Sequence, residues 1–467
     1  MKLLHTFTAM SIRFDDGNLV SSAGLVPIMG LAQRAGLHEL GERWLTVPTD
    51  KGSNPGAKLS SLVAGMVAGA DSIDDMAILK HGGMGKVFTG SYAPSTLGSF
   101  LRMFRFGHVR QLDAVASRLL DNLNRLAPIL PGAGLAMLDI DDTVVEVHGH
   151  AKQGAGFGYN KIRGLNAAIA TLATPGSAPM IVAQRLRKGS TSSPKGAKRL
   201  VSDAVATTRR LLVADQPVVV RADSGFYGVP TVGAAITGGA DVSVTVKLNA
   251  HVRRAITTIG DDAWAPIEYP NSVKDPDTGE WISRAEVAET RYTAFTSKPE
   301  KDQITGRLVV RRVPDVNAEA KKKNGQDTLF DTWRFHAFFT TLDPDQVDTV
   351  AADRLHRHHA IIEQVHADLK NSALAHLPSG VFTANAAWLV TAVIAFNLTR
   401  AAAALTGHGL ERATTAATRR KLIHVPARIA SSARRIVLHL PHAWPWQASW
   451  AALFTHVLDP PRPASPV

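Results

Sequence analysis

Cysteine is absent from all 467 positions of the sequence. Disulfide bonds, thiolate zinc sites and cysteine nucleophiles are therefore excluded. Long apolar runs are also missing: the longest, 386–398, contains Asn397 and is shorter than the roughly 18 residues needed to span a membrane. The first residues lack the basic-then-apolar pattern of a signal peptide. These absences predict a soluble, cytoplasmic protein without a membrane segment.

Acidic residues are the scarcer charged class. There are 40 Asp and Glu against 52 Lys and Arg, a formal net charge of +12, and the pI is near 9.9. Summed positive potential attracts phosphate groups, so a nucleic-acid partner is the first expectation. A generally arginine-rich composition is the alternative explanation. The length predicts two or three domains.

Apolar periodicity divides the chain. Residues 1–131 repeat apolar side chains at helical spacing, which predicts a helical N-terminal region. Its basic cluster beside aromatic residues, at 100–110, is interpreted either as part of a DNA-binding region or as a solvated helix end. From Gly134 the pattern changes to strands and helices in the order β-β-β-α-β-α-β. Their ranges are 135–149, 167–173, 180–187, 192–214, 217–223, 229–237 and 242–248. This order is typical of a mixed α/β, RNase H-like sheet, whose first part we place at 132–248.

The rest of the chain is predicted to interrupt and then complete that core. Residues 249–350 form a β-rich insertion, and 351–405 supply the last helical part of the core. Residues 406–467 form a basic helical region with a proline-rich tail, and 412–440 are expected to be helical. The helices that read DNA are sought in the N-terminal region and in 412–435.

Three aspartates follow one another on the first strand. Strand alternation points Asp139 and Asp141 to the same side and Asp142 to the other. Asp223 ends a buried strand that neighbours the first in an RNase H-like sheet, so it should lie close to Asp141. Converging carboxylates at the end of apolar strands suit Mg²⁺ or Mn²⁺, which offset the cost of burying their charge. Alternatively, Asp223 only caps the helix that follows it.

A second polar group lies at 356–371, which we predict to be one helix. At about 100° per residue its polar side chains fall within about 60° of each other on one face. Those side chains are His356, His359, Glu363 and Lys370. The face is interpreted either as part of an active site or as a solvated charged surface.

These motifs together resemble one family. LDIDDT at 138–143, VRADSGFYG at 220–228 and H-x2-H-x3-E-x6-K from His356 to Lys370 are similar to the DDE transposases of bacterial insertion sequences. The resemblance is to the group with a β-rich insertion and a Tyr-x2-Arg-x3-Glu-x6-Lys signature, and it runs from about Asp15 to Pro441. It implies an enzyme that cuts and joins DNA, located in the bacterial cytoplasm at the nucleoid.

The resemblance also implies roles for single residues. Asp141, Asp223 and Glu363 would be the catalytic, metal-binding triad, holding two Mg²⁺ ions with Mn²⁺ as a substitute, and Asp139 is the alternative first carboxylate. Lys370 would contact DNA phosphate. His356 and His359 replace the signature tyrosine and arginine. Both can hydrogen-bond phosphate, although a neutral His359 lacks the permanent bidentate charge of arginine.

Further DNA contacts are expected outside the triad. The resemblance implies that Trp333 stacks on a base flipped out of the transposon end; otherwise it is a packed strand aromatic. Lys161 and Arg163, in a glycine-rich loop at 149–164, would hold backbone phosphates, or they are solvated charges.

The function implied is cut-and-paste transposition, with double-stranded DNA as partner, both terminal inverted repeats and target, and a homodimer in the synaptic complex. Two alternatives remain. The histidines that depart from the signature allow a catalytically degenerate DNA-binding protein. A zinc hydrolase is the other, although it leaves Asp141 and Asp223 unexplained. Its ligands would be His356, His359, Glu363 and His366.

Overall fold

The structure is a computed structural model. It describes residues 4, 7–48, 52–149, 151–158, 160–267, 285–314, 333–432 and 435–458. The proline-rich tail expected at 460–467 lies outside the described residues.

The N-terminal region is helical, as its periodicity predicts. A short strand, β1 (Leu19–Val20), precedes these helices. They are α1 (Leu25–Arg34), α2 (Leu37–Trp44), α3 (Pro55–Val67), α4 (Met84–Val87), α5 (Pro94–Arg102) and α6 (Phe106–Leu126). Almost every side chain of α3 is buried, because this helix packs against α2 on one side and the C-terminal part of the chain on the other. A helix that is apolar all round belongs inside a large core.

The core sheet has the predicted order of elements with one addition, the two-residue strand β3. These are β2 (Ala136–Glu146), β3 (Gly156–Phe157), β4 (Arg163–Ala173), β5 (Met180–Lys188), α7 (Ala197–Leu211), β6 (Val218–Ala222), α8 (Val229–Thr237) and β7 (Asp241–Val246). In space the strands run β5-β4-β2-β6-β7. The first three are antiparallel, whereas β2, β6 and β7 are parallel. This is the RNase H-like arrangement, and it brings the carboxyl end of β6 beside the middle of β2.

The β-rich insertion extends that sheet. It contains α9 (Ala250–Ile256), β8 (Ala265–Ile267), β9 (Ala285–Ala294), β10 (Ile304–Pro314) and β11 (Trp333–Thr340). Strand β11 pairs antiparallel with β7, and β10, β9 and β8 follow outward. The core and the insertion therefore share one ten-stranded mixed sheet. Two polar segments of the insertion, 270–281 and 315–328, which the sequence predicts to be loops, lie outside the described residues.

Helices return after the insertion. They are α10 (Thr349–Arg357), α11 (Ile361–Lys370), α12 (Phe382–Ala404) and α13 (Thr415–Thr418), and a 3₁₀ turn, His358–Ala360, separates α10 from α11. The single helix predicted at 356–371 is thus interrupted. Helix α12 is long and apolar enough to cross a membrane by length and composition, but its whole apolar window is buried within the protein. It is the core helix, packed against α6, α3 and β5.

The basic segment 412–440 was predicted to be helical, and that prediction is wrong. A π-helical turn, Arg419–Ile423, is followed by β12 (Ala427–Ser432) and β13 (Arg435–His439), and the chain then enters α14 (Gln447–Leu458). Strands β12 and β13 form a small antiparallel sheet with β1. Pro426 has no amide hydrogen and disfavours helix in the residue before it, so the helix ends there. Beyond it, Ile429 and Leu438 face each other across the hairpin.

Candidate active site

Asp139 is fully buried and fully paired. It lies opposite Arg221 in the parallel ladder of β2 and β6. The guanidinium forms a bidentate pair with it, Nε to Oδ1 at 2.7 Å and Nη2 to Oδ2 at 2.7 Å. His359 Nδ1 lies 2.8 Å from the same Oδ1, and Arg221 Nη1 also donates to the Leu355 carbonyl. Bidentate pairs of this kind are strong and geometrically specific. Asp139, the alternative first carboxylate, is therefore already committed to an internal ion pair.

Asp141 and Asp223 lie side by side just beyond that pair. The last parallel register is Ile140 with Ala222, so the next residue of each strand is an aspartate. Burial raises the pKa of Asp223, and the negative charge of Asp141 raises it further. Asp223 Oδ1 also accepts a hydrogen bond from the Gly225 amide at 3.0 Å. The capping interpretation of Asp223 is thus correct as far as it goes, but it uses only one carboxylate oxygen.

Asp142 points to the opposite face of β2, as alternation predicts. Its carboxylate is paired with the Arg187 guanidinium and accepts a hydrogen bond from Asn166 Nδ2 at 3.1 Å. Both partners come from the antiparallel strands β4 and β5. Of the three aspartates on β2, two are held by arginine, and Asp141 has no arginine partner among the described residues.

Helix α11 lies over Asp141 and Asp223, the two aspartates that are not paired with arginine. His366 Nε2 is 3.5 Å from Asp141 Oδ2, and its side chain is only 7% exposed. Lys370, one turn later, is half-buried; burial lowers the pKa of its amino group and the nearby charge of Asp141 opposes that shift. The sequence predicts a role for His366 only as a ligand in the zinc hydrolase alternative. Its spacing, three residues after Glu363 and four before Lys370, was the available signal that it shares their helix face.

Glu363 does not join the aspartates. It lies in the first turn of α11 and is exposed. Within the part of the chain that the structure describes, no group of three or more His, Asp or Glu side chains is close enough to hold a metal ion. Of the triad implied by the resemblance, Asp141 and Asp223 therefore lie together, and Glu363 lies apart from them.

The donor set nevertheless fits a divalent cation. Burial and the negative charge of Asp141 raise the pKa of Asp223, and a hard cation between two such carboxylates removes their repulsion. His366 adds a buried ring whose nitrogens have no hydrogen-bond partner among the residues that the structure describes. Asp141, within β2, and Asp223, directly after β6, are the residues that would hold the ion.

The family model of the transposase DDE domain, group 1, matches residues 5–460, nearly the whole chain. The chain belongs to the DDE transposase family. No curated protein matches it. The family implies DNA binding and an enzymatic activity in transposition.

In this transposase the two signature histidines face inward. The His356 ring nitrogens lie 2.8 Å from Ser243 Oγ and 2.9 Å from Thr245 Oγ1, and the ring stacks on Phe338 with centroids 4.1 Å apart. Burial, assisted by nearby positive charge, lowers the pKa of His356 to about 3. The expected phosphate contact of His356 is corrected accordingly, because both nitrogens already have partners. His359 is likewise committed to Asp139.

The remaining predicted DNA contacts lie in different surroundings. Trp333 begins β11, and the Arg312 guanidinium lies 4.5 Å from its ring centre. A base stacking on that face would displace Arg312. Lys161 is exposed, whereas the Arg163 guanidinium donates to the Gly149 carbonyl at 2.9 Å. Lys161 is thus open to a ligand, and Arg163 braces its own loop.

Proposed function

We propose that this chain is a cut-and-paste DNA transposase. It would bind the terminal inverted repeats of its element, hydrolyse the 3′ strand at each end and join the freed 3′ hydroxyl to target DNA. The observation that carries the proposal is the adjacency of Asp141, within β2, and Asp223, directly after the parallel strand β6, beneath a helix that presents Lys370.

Asp141 and Asp223 would hold the divalent cation, Mg²⁺ or Mn²⁺, and Glu363 would complete the triad. The cation supplies activation of the attacking hydroxyl and stabilisation of the leaving oxygen in phosphodiester cleavage. Glu363 is on the same face of α11 as Lys370, so a modest shift of the helix on DNA binding would carry it toward the aspartates. The half-buried Lys370 amino group would position a DNA phosphate at the same place.

Synapsis of two ends would require two copies of the chain, so we infer a homodimer on DNA. The net charge of +12 supports binding to the phosphate backbone. Lys161 supplies an exposed contact in the loop that follows β2.

A second candidate function is a catalytically degenerate, transposase-derived DNA-binding protein. The specific observation in its favour is that Glu363 is exposed and apart from Asp141 and Asp223. The two candidates differ in one outcome, which is cleavage.

The test is cleavage of a labelled duplex that carries the element's own terminal repeat, in Mg²⁺ and in Mn²⁺. Asp141→Asn, Asp223→Asn and Glu363→Gln should each lower the rate by about 10³-fold or more while DNA binding is retained. Glu146→Gln is the matched control, since Glu146 lies on the same strand and is 59% exposed. A wild-type protein that binds this duplex but never cuts it would sink the catalytic proposal in favour of the degenerate one.

A further inference from the structure

His366 is an unusual residue for the inside of a helix packing face. Its side chain is 7% exposed, and neither ring nitrogen has a hydrogen-bond partner among the residues that the structure describes. Leaving a buried polar group without a partner costs free energy that an apolar side chain of similar size would not. The neighbouring α11 residues Ile362, Val365 and Leu369 are apolar and buried. Burial alone therefore gives no reason for a histidine here.

The ring points at one group. Nε2 lies 3.5 Å from Asp141 Oδ2, which is longer than a formed hydrogen bond but within reach of one after a small adjustment. The other oxygen of the same carboxylate, Oδ1, accepts the Asp142 backbone amide at 2.7 Å. Asp141 is thus held on one side by its own strand and faces His366 on the other.

We propose that His366 is a positioning residue for Asp141. Its ring donates Nε2–H to Asp141 Oδ2 and fixes the carboxylate in the orientation that presents its remaining lone pairs to the divalent cation. The inference rests on the proposed function and adds a residue to it. Hydrogen bonds from outside the coordination sphere orient metal ligands in this way, and their loss typically lowers metal affinity about 10- to 100-fold.

Lys370 is the other group that faces Asp141. Its positive charge competes with a cation for the carboxylate. The structure thus divides two tasks between successive turns of one helix, His366 holding the ligand and Lys370 facing the phosphate.

The experiment compares His366→Leu with His366→Gln in the full-length protein. Leucine removes the donor at similar volume, and glutamine keeps an N–H donor of similar reach. Mn²⁺ affinity is measured without DNA, by the loss of the free-ion electron paramagnetic resonance signal. We expect about 10- to 100-fold weaker binding for His366→Leu and recovery of most of that loss in His366→Gln. The urea midpoint of His366→Leu should equal or exceed that of the wild type, which separates the effect from misfolding.

A second measurement is the Mn²⁺ dependence of cleavage of the terminal-repeat duplex. In His366→Leu the Mn²⁺ concentration for half-maximal cleavage should rise, while the rate at saturating Mn²⁺ stays close to that of the wild type. Equal Mn²⁺ affinity in wild type and His366→Leu overturns the inference. A nitrogen hyperfine coupling to bound Mn²⁺ that changes on ¹⁵N-histidine labelling also overturns it, because His366 would then be a direct ligand.

The failure of the proposed function looks different. If Asp141→Asn binds Mn²⁺ as the wild type does, or the wild type binds none, the proposed metal site is wrong. The positioning role of His366 is then wrong as well. If binding needs Asp141 but is indifferent to His366, the site stands and only the positioning role is lost.

Discussion

Two clusters of charged side chains lie two residues apart on β2 and have opposite properties. The paired cluster is Asp139 with Arg221 and His359, and every charge in it has a partner. The open cluster is Asp141 with Asp223, His366 and Lys370, where like charges adjoin and a buried ring lacks a partner. Buried groups are normally satisfied, and exceptions gather where a protein binds or reacts. We therefore interpret the paired cluster as one that stabilises the fold, and the open cluster as the candidate functional site.

Position along the sheet decides which cluster forms. Asp139 lies opposite Arg221 inside the ladder of β2 and β6, whereas Asp141 follows Ile140, the last paired residue. Beyond that point β6 supplies Asp223 instead of an arginine. A shift of one residue in register would exchange the two faces of the strand and remove both clusters.

Breaking the paired cluster should have the largest effect. Arg221→Met leaves the Asp139 carboxylate buried without its main counter-charge, so we expect a loss of about 3–5 kcal/mol of unfolding free energy. Urea denaturation measures it. The double variant Arg221→Met, Asp139→Leu should recover part of the loss. Arg428→Met, at a 65% exposed arginine near Asp16, should change stability by less than about 1 kcal/mol.

Acid should weaken the region next to the paired cluster through His356. The folded-state pKa of His356 is about 3, below its ordinary value of 6.5, so the unfolded chain takes up the proton first. The stability contributed by the neutral ring is complete above about pH 7 and is lost as the pH falls toward 3.

Unfolding free energies at pH 7, 5 and 4 should therefore fall more steeply for the wild type than for His356→Gln, by about 2–4 kcal/mol over that range. His148→Gln, at an 87% exposed histidine, is the control. Parallel pH profiles of wild type and His356→Gln would show that the ring is not held neutral.

Breaking the open cluster should have the opposite sign. Asp223→Asn removes a carboxylate whose charged form is disfavoured by burial and by Asp141, so in metal-free buffer its stability should equal or slightly exceed that of the wild type. The same denaturation assay decides this. A loss as large as that of Arg221→Met would mean that Asp223 is a structural group, and the contrast between the two clusters would disappear.

The smallest expected effect concerns Lys370. Lys370→Ala should weaken DNA binding to all sequences alike and reduce the slope of log affinity against log salt concentration by about 1. Fluorescence anisotropy at several salt concentrations measures the slope. Lys301→Ala, in an exposed turn of the insertion, is the matched control. An unchanged slope in Lys370→Ala would place its amino group away from phosphate.

Much of the core could be predicted from patterns that are local in sequence. Apolar, β-branched runs fix strands such as β2 and β6, because only a buried strand accommodates them. Alternation then places Asp141 on one face and Asp142 on the other, as the structure confirms. The hairpin of β12 and β13 is harder to predict from the sequence, because its arginines are equally typical of a basic helix. Pro426 is the local signal that the helix ends.

The orientation of the two histidines could not be predicted from sequence patterns. His356 and His359 were expected to face DNA because they stand on the polar stripe of a predicted helix. The 3₁₀ turn at His358–Ala360 interrupts that helix, and both rings turn toward the sheet. The partners that hold them, Ser243 and Asp139, are more than 100 residues away in the chain. No local pattern reports such contacts.

The sequence by itself determined that the chain has a mixed α/β core, that Asp141 lies on its first strand and that Asp223 ends a neighbouring strand. Those features follow from the spacing of apolar residues, which each segment carries within itself. Only the tertiary structure decided which aspartate is free. Asp139 and Asp142 are held by Arg221 and Arg187, and Asp141 is left to face Asp223 and His366, because these partners come from strands and a helix that meet only when the sheet is assembled.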